Sequence, residues 1–239
     1  MKIIIAPAKQ MKYTVPINKE TNPVYLSKQK KLHTILKKYD ASKLHDVMKI
    51  SFKMANEVYN YFHQKEDSHP ALHYYSGTVF KQLKLTSYKQ EEQDYISSYL
   101  RILSAYYGVL SPYDLIQRYR LDMKMKIDDI NLYSYWAADV KKYFKEEDFI
   151  ISLASKEFTN MIKHPHIITI DFVEDKGDKL VRNAMYVKQA RGKMLHYLIK
   201  EKITNIEELK KISFDNYHYH DSLSTKNNLV FYRTPDCSY

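Results

Sequence analysis

The sequence predicts a mixed α/β fold in which a central sheet is flanked by helices, and three observations predict it. Short apolar runs stop abruptly at basic or hydroxyl residues: Ile3–Ala6 at Pro7-Ala8-Lys9, Phe149–Ala154 at Ser155-Lys156, and Met185–Val187 at Lys188-Gln189-Ala190-Arg191-Gly192. Runs this short read as buried strands. Between them lie longer stretches whose apolar residues recur at helical spacing. Finally, only four glycines and seven prolines interrupt the 239 residues, so no linker is evident and residues 1–239 are expected to form one domain.

In chain order, the Ile3–Ala6 strand leads into an irregular stretch, 10–24, broken by Pro16 and Pro23. Helical spacing follows over 25–39 (Leu26, Leu32, Ile35, Leu36, Tyr39) and 43–63 (Leu44, Val47, Met48, Phe52, Ala55, Val58, Phe62). Tyr95, Tyr99, Leu100, Leu103 and Tyr106 extend a further helix over 92–107, with Gly108 as its stop and Ser111-Pro112 as a turn. Residues 132–144 are expected to be helical, 148–154 extended and 155–163 helical. A hairpin over 167–174 and 179–188 turns at Asp175-Lys176-Gly177-Asp178. Helices at 190–202 and 205–211 precede a last strand pair, 213–220 and 228–233.

Composition narrows the class of partner. With 44% hydrophobic and 28% charged residues the chain reads as globular and ordered. No apolar run is long enough to span a membrane or to form a signal-peptide core, which leads to the expectation of a soluble, cytoplasmic protein with no membrane partner. A single cysteine, Cys237, excludes an intramolecular disulfide and fits a reducing compartment. The net charge of +10 favours polyanions without naming one.

Two patterns bear on chemistry. Strand ends carrying Lys9, Ser155, Lys188 and Arg191 form one anion site if the strands run parallel, with Ser155 as the N-cap of a helix whose first turn adds partial positive charge. Separately, Val47, Ile50, Ala55 and Val58 match the apolar positions of a helix-hairpin-helix, whose tight turn offers backbone N–H groups to DNA phosphates. Its glycine positions hold Lys49 and Ser51; Lys49 and Lys53 supply charge, and Ser51 caps the second helix. His164, His166, His218, His220 and Asp221 invite a metal reading, but they lack further ligands at suggestive spacing, so no metal site is assigned. Tyr106, Tyr107 and Tyr119, near Arg118 and Arg120, offer stacking platforms for unpaired bases; core packing competes with that role. No phosphate-binding loop, dinucleotide fingerprint or catalytic triad is present, and no cofactor is expected.

Several blocks together resemble the YaaA family from end to end. They are Ala6-Pro7-Ala8-Lys9, residues 100–116 with Tyr119-Arg120-Leu121-Asp122-Met123, Leu132-Tyr133-Ser134-Tyr135-Trp136, residues 152–158, and Ala190-Arg191-Gly192. The resemblance implies a YaaA-like α/β fold with a helix-hairpin-helix and a positively charged cleft, to which it adds Arg120. It implies a cytoplasmic peroxide-stress protein that binds DNA and helps keep intracellular free iron low; with the hairpin and the basic cleft, the expectation is binding to the DNA phosphate backbone with little sequence preference. The chain departs from the family pattern at Ala6, where serine is usual, at Lys12, usually acidic, and at Thr78 and Gln82, where Gly-Asp and a second glycine are common. Loss of acidic groups favours binding over acid–base catalysis. The alternative is an enzyme acting on a nucleotide or other phosphorylated small molecule held by Lys9, Arg120, Ser155, Lys188 and Arg191.

Overall fold

In the computed structural model, which describes residues 1–234, strand β1 (Lys2–Ile5) leads through an irregular stretch to helices α1 (Leu26–Leu36), α2 (Ala41–Met48) and α3 (Phe52–His63). A short strand β2 (His69–Pro70) and the helical turn α4 (Ala71–Tyr74) precede α5 (Gln90–Tyr99), which passes directly into β3 (Leu100–Ser104) and then β4 (Gly108–Leu110). The short strands β5 (Leu115–Ile116), β6 (Lys126–Ile127) and β7 (Ile130–Asn131) lead to α6 (Leu132–Tyr143), β8 (Ile150–Ser152) and the one-turn α7 (Lys156–Thr159). The chain continues through β9 (Ile167–Asp175), β10 (Leu180–Val181), α8 (Ala184–Lys200), α9 (Ile206–Lys210), β11 (His218–Tyr219) and β12 (Asn228–Arg233).

The central sheet runs in the order β11-β12-β9-β8-β1-β3-β4, with β10 paired to β9. Its inner strands β12, β9, β8, β1 and β3 are parallel, and both ends of the sheet are antiparallel. This architecture is α/β with a mixed sheet and flanking helices. Strand β1 lies near its middle, and Ile3, Ile4 and Ile5 are all fully buried. Consecutive apolar residues are what a parallel strand covered on both faces requires. Helix α5 packs on β1 and β3, α6 on β4, and α8 on β9. The largest buried side chain, Trp136 of α6, donates its indole N–H to the Ala105 carbonyl at 2.9 Å.

Two expected elements change type in the fold, and two are shorter than expected: the helix over 155–163 is only Lys156–Thr159 and the strand over 213–220 only His218–Tyr219. The helix expected over 92–107 ends at Tyr99, and residues 100–104 form β3. Leu100 and Leu103 suit either period, and pairing with β1 (Ile3 with Leu100, Ile5 with Ile102) decides for the strand. Gly108 is accordingly not a helix stop but opens the return strand at φ +79°, where an added Cβ would lie 2.9 Å from the Trp136 ring. The second correction concerns Met185–Val187, which is no strand. Asn183 caps a helix there, accepting from the Met185 and Tyr186 N–H groups, so α8 begins at Ala184 and only Leu180–Val181 completes the hairpin with β9. Val187, Ala190, Met194, Leu195 and Leu198 then form one buried helical face. Lys188 and Arg191 therefore reach any site from a helix and not from a strand end.

The stretch 43–63 is two helices. Asp40 caps α2 by accepting from the Lys43 N–H, and Ser51 caps α3 by accepting from the Met54 N–H at 3.3 Å, as expected of that serine. Lys49 between them sits at φ 51°, ψ 51°. That left-handed conformation is one a glycine would take more readily.

Candidate functional site

Strands β1 and β8 are parallel neighbours, so their carboxyl ends open at the same edge. The chain leaves β1 for β3 on one side, whereas β8 lies on the other. The gap between β1 and β8 is thus the topological switch point, where α/β sheets bind ligands. A cleft of about 590 Å³ opens there. Ala6–Gln10 from β1, Leu153 and Ser155 beyond β8, the 77–80 segment, the 119–122 segment and α8 form its walls.

Lys9, Arg120, Ser155, Lys188 and Arg191 all line this one cleft. The strand ends supply Lys9 and Ser155, an irregular segment supplies Arg120, and the second turn of α8 supplies Lys188 and Arg191. Two close approaches hold the walls together. A Cβ on Gly77 would lie 2.7 Å from the Ala8 Cβ, and one on Gly192 would lie 2.3 Å from the Val79 carbonyl oxygen. Only residues without side chains allow these segments to meet.

Four cations in the lining outnumber two carboxylates, Asp122 and Glu157. Asp122 pairs with Lys9 at 2.8 Å, and Glu157 accepts from the Met123 N–H at 2.9 Å. The Nε atoms of Arg120 and Arg191 are buried and have no partner among the described residues; the third such atom, on Arg118, belongs outside the cleft lining. Burial pushes the Arg191 guanidinium pKa down, against a weaker upward pull from Asp171. Asp171 is itself held by Arg182 at 2.7 Å, so Arg191 does not have it to itself. Ser155 occupies the cap position of α7, but its side chain makes no capping bond. With α7 a single turn, the expected helix-dipole contribution falls away, and Ser155 counts as a hydroxyl in the wall.

Beneath the cleft, Tyr119 is 3% exposed. Its hydroxyl bonds to Ser104 Oγ at 2.8 Å and Tyr75 OH at 2.7 Å, and Ser104 Oγ also accepts from the Tyr106 and Tyr107 N–H groups. Tyr106 and Tyr107 are equally buried, so none of the three tyrosines considered as base platforms presents a free ring face; Tyr119 alone of them reaches the lining. Burial pushes the Tyr119 phenol up from 10.0 to about 12. A phenol that ionises later in the fold than in the unfolded chain stabilises fully below pH 10, and that stability is lost as pH rises toward 12. Tyr119→Phe is therefore expected to cost about 1–3 kcal/mol at neutral pH by stranding its partners, and to flatten the alkaline decline in melting temperature. Parallel pH profiles for the two proteins would rule this out.

Lys49, Ser51 and Lys53 lie at the exposed α2–α3 turn and not in the cleft. Phe52 between them is 56% exposed and stacks on His45 at 4.0 Å. The structure thus gathers the candidate residues into two separate groups.

The profile of a family described as peroxide stress protein YaaA matches residues 1–223. The chain belongs to the YaaA family. A UPF0246 protein of Fusobacterium nucleatum is 36% identical over 98% of this chain and 99% of its own length. Relatives in Flavobacterium psychrophilum and Finegoldia magna, also named UPF0246 proteins, are 34% and 36% identical over 98% of this chain and 100% and 98% of theirs.

Two departures from the YaaA pattern now have a place. Thr78 lines the cleft, and Gln82 donates its side-chain amide to the Thr78 carbonyl at 3.3 Å while its Cβ and Cγ lie against Gly192. Where the resemblance leads to the expectation of a carboxylate, this cleft carries the Thr78 hydroxyl; its own carboxylates, Asp122 and Glu157, come from elsewhere. Asp122 and Glu157 both fall within the blocks that carry the resemblance, and the one local signal of a role is that Asp122 lies two residues beyond Arg120. Among the described residues no three His, Cys, Asp or Glu side chains cluster to hold a metal, and no helix is long and apolar enough to cross a membrane. Cys237 lies outside the described residues.

Proposed function

We propose that this YaaA-family protein binds DNA through phosphate contacts, with little sequence preference, as part of the cytoplasmic response to peroxide. The observation that carries the reading is the convergence of Lys9, Arg120, Lys188 and Arg191 on one cleft, with two guanidinium Nε atoms buried and unpartnered. Buried donors without acceptors are costly, and a phosphate oxygen is the acceptor their charge suits. The α2–α3 turn is read as a helix-hairpin-helix that meets the duplex separately, with the backbone at Lys49 in the conformation such a turn needs and Lys49 and Lys53 adding charge. Keeping free iron low would follow from what the DNA-bound protein does.

Affinity for a duplex is expected to fall about 100-fold between 50 and 200 mM salt, the slope for about four phosphate contacts. Two unrelated duplex sequences should bind alike. Fluorescence anisotropy across a salt titration measures both. Binding that ignores salt, or that depends strongly on sequence, would reject the reading.

The size of the cleft favours a second reading, an enzyme acting on a nucleotide or other phosphorylated small molecule. Lys9 argues against the nucleophile such an enzyme would need: its side chain is 56% exposed and paired with Asp122. A lysine is activated by desolvation, and this one is solvated.

A further inference from the structure

We propose that the cleft holds a single nucleotide displaced from the base stack of the DNA that the α2–α3 turn grips. This rests on the DNA reading and specifies what enters the cleft.

Size is the first argument. A volume of about 590 Å³ matches a site for one small molecule. A duplex, whose major groove alone is about 12 Å wide, cannot occupy it. If the cleft engages DNA, it engages a part that has left the helix.

The lining is the second argument. Grooves that track a nucleic-acid backbone are cationic along their length. Here Asp122 and Glu157 stand among the cations and would repel a run of phosphates. One phosphate with its base suits the mixture. The unpartnered Nε atoms of Arg120 and Arg191 are donors for the phosphate, with Lys188 adding charge. Pro7, Phe80, Leu153 and Phe158 give apolar surface for a base, while Gln10 and Thr78 bring hydrogen-bonding groups for its edge. Glu157 spends Oε1 on the Met123 N–H, which leaves Oε2 as an acceptor for a base amine.

Location is the third. The switch point between β1 and β8 places the cleft at a mouth of the sheet, and its walls are set by glycine contacts at Gly77 and Gly192, so the space is built into the packing.

The test uses the full chain with two duplexes that differ at one position: 2-aminopurine opposite an abasic site, or 2-aminopurine paired with thymine. Binding is followed by anisotropy, and the state of the probe by its own fluorescence. The unpaired probe is expected to bind about tenfold more tightly than the paired one, because no base pair has to be broken first. Its fluorescence should change on binding, and excess dAMP should reverse that change while the duplex stays bound. Arg120→Lys with Arg191→Lys keeps both charges but removes the Nε donors, and should abolish the preference while leaving the melting temperature near wild type. Lys49→Glu with Lys53→Glu should lose the duplex and still bind dAMP. Equal affinity for the two duplexes, or a probe signal insensitive to both dAMP and the arginine changes, would overturn the inference while leaving the DNA reading intact. Failure of wild type to retain either duplex would overturn both, and dAMP binding alone would then assign the cleft to a free nucleotide.

Discussion

Reversing the charges of Lys49 and Lys53 together is expected to weaken duplex binding on the order of 100-fold, about tenfold per reversed charge, and to lower the salt slope by about 2. The effect should be the same on unrelated sequences, since both side chains are exposed at a turn and act on phosphates as charges. A control separates charge from backbone. Lys49 already holds φ 51°, so Lys49→Gly fits the turn without strain and removes only the charge. It should lose about one unit of salt slope and retain the fold. Anisotropy at several salt concentrations, with thermal melts of each variant, makes the comparison. If the double reversal leaves affinity unchanged in a folded protein, the α2–α3 turn does not contact DNA.

Gly192→Ala should be the most damaging small substitution in the cleft wall. The new Cβ would lie 2.3 Å from the Val79 carbonyl oxygen and 2.8 Å from Gln82 carbons. The closest of these is backbone and cannot rotate away, so α8 must separate from the 77–82 segment. Overpacking of this kind costs about 3 kcal/mol, which for a chain of this size is a fall in melting temperature of about 6–12 °C. Circular dichroism melts test it. A change below about 2 °C would mean that the two segments are not pressed together, and the cleft would lose one of its defining walls.

Both predictions concern residues the sequence had already singled out, yet for reasons the fold revised. Lys49 was an anomaly at a glycine position, and the structure shows a lysine bearing the glycine-like backbone conformation. Gly192 was part of a family block; its use is the approach of Val79, which no local pattern announces. The apolar run Met185–Val187 reads as a strand ending at Lys188 and Arg191, whereas in the fold it is the first turn of α8. Lys188 and Arg191 reach the cleft because 3.6-residue spacing puts the pair, three apart, on one side of α8. Helical spacing through Tyr95 and Tyr99 ran on into Leu100 and Leu103, and nothing local marks the change at residue 100. The deciding partner is β1, far away in sequence.

The sequence by itself determined the α/β class, a buried strand over Ile3–Ala6, the helical spacing over 43–63 with Ser51 as a cap, and the residue types offered to one basic cleft. These rest on periodicity, capping and charge, which act between near neighbours in the chain. Only the tertiary structure decided that β1 and β8 open at one edge, that Asp122 neutralises Lys9, that Tyr119 lies buried under the site, and that Arg120 and Arg191 keep unpartnered donors there. Those outcomes depend on which distant segments share a strand register or a close glycine contact, and long-range packing, not local propensity, sets both.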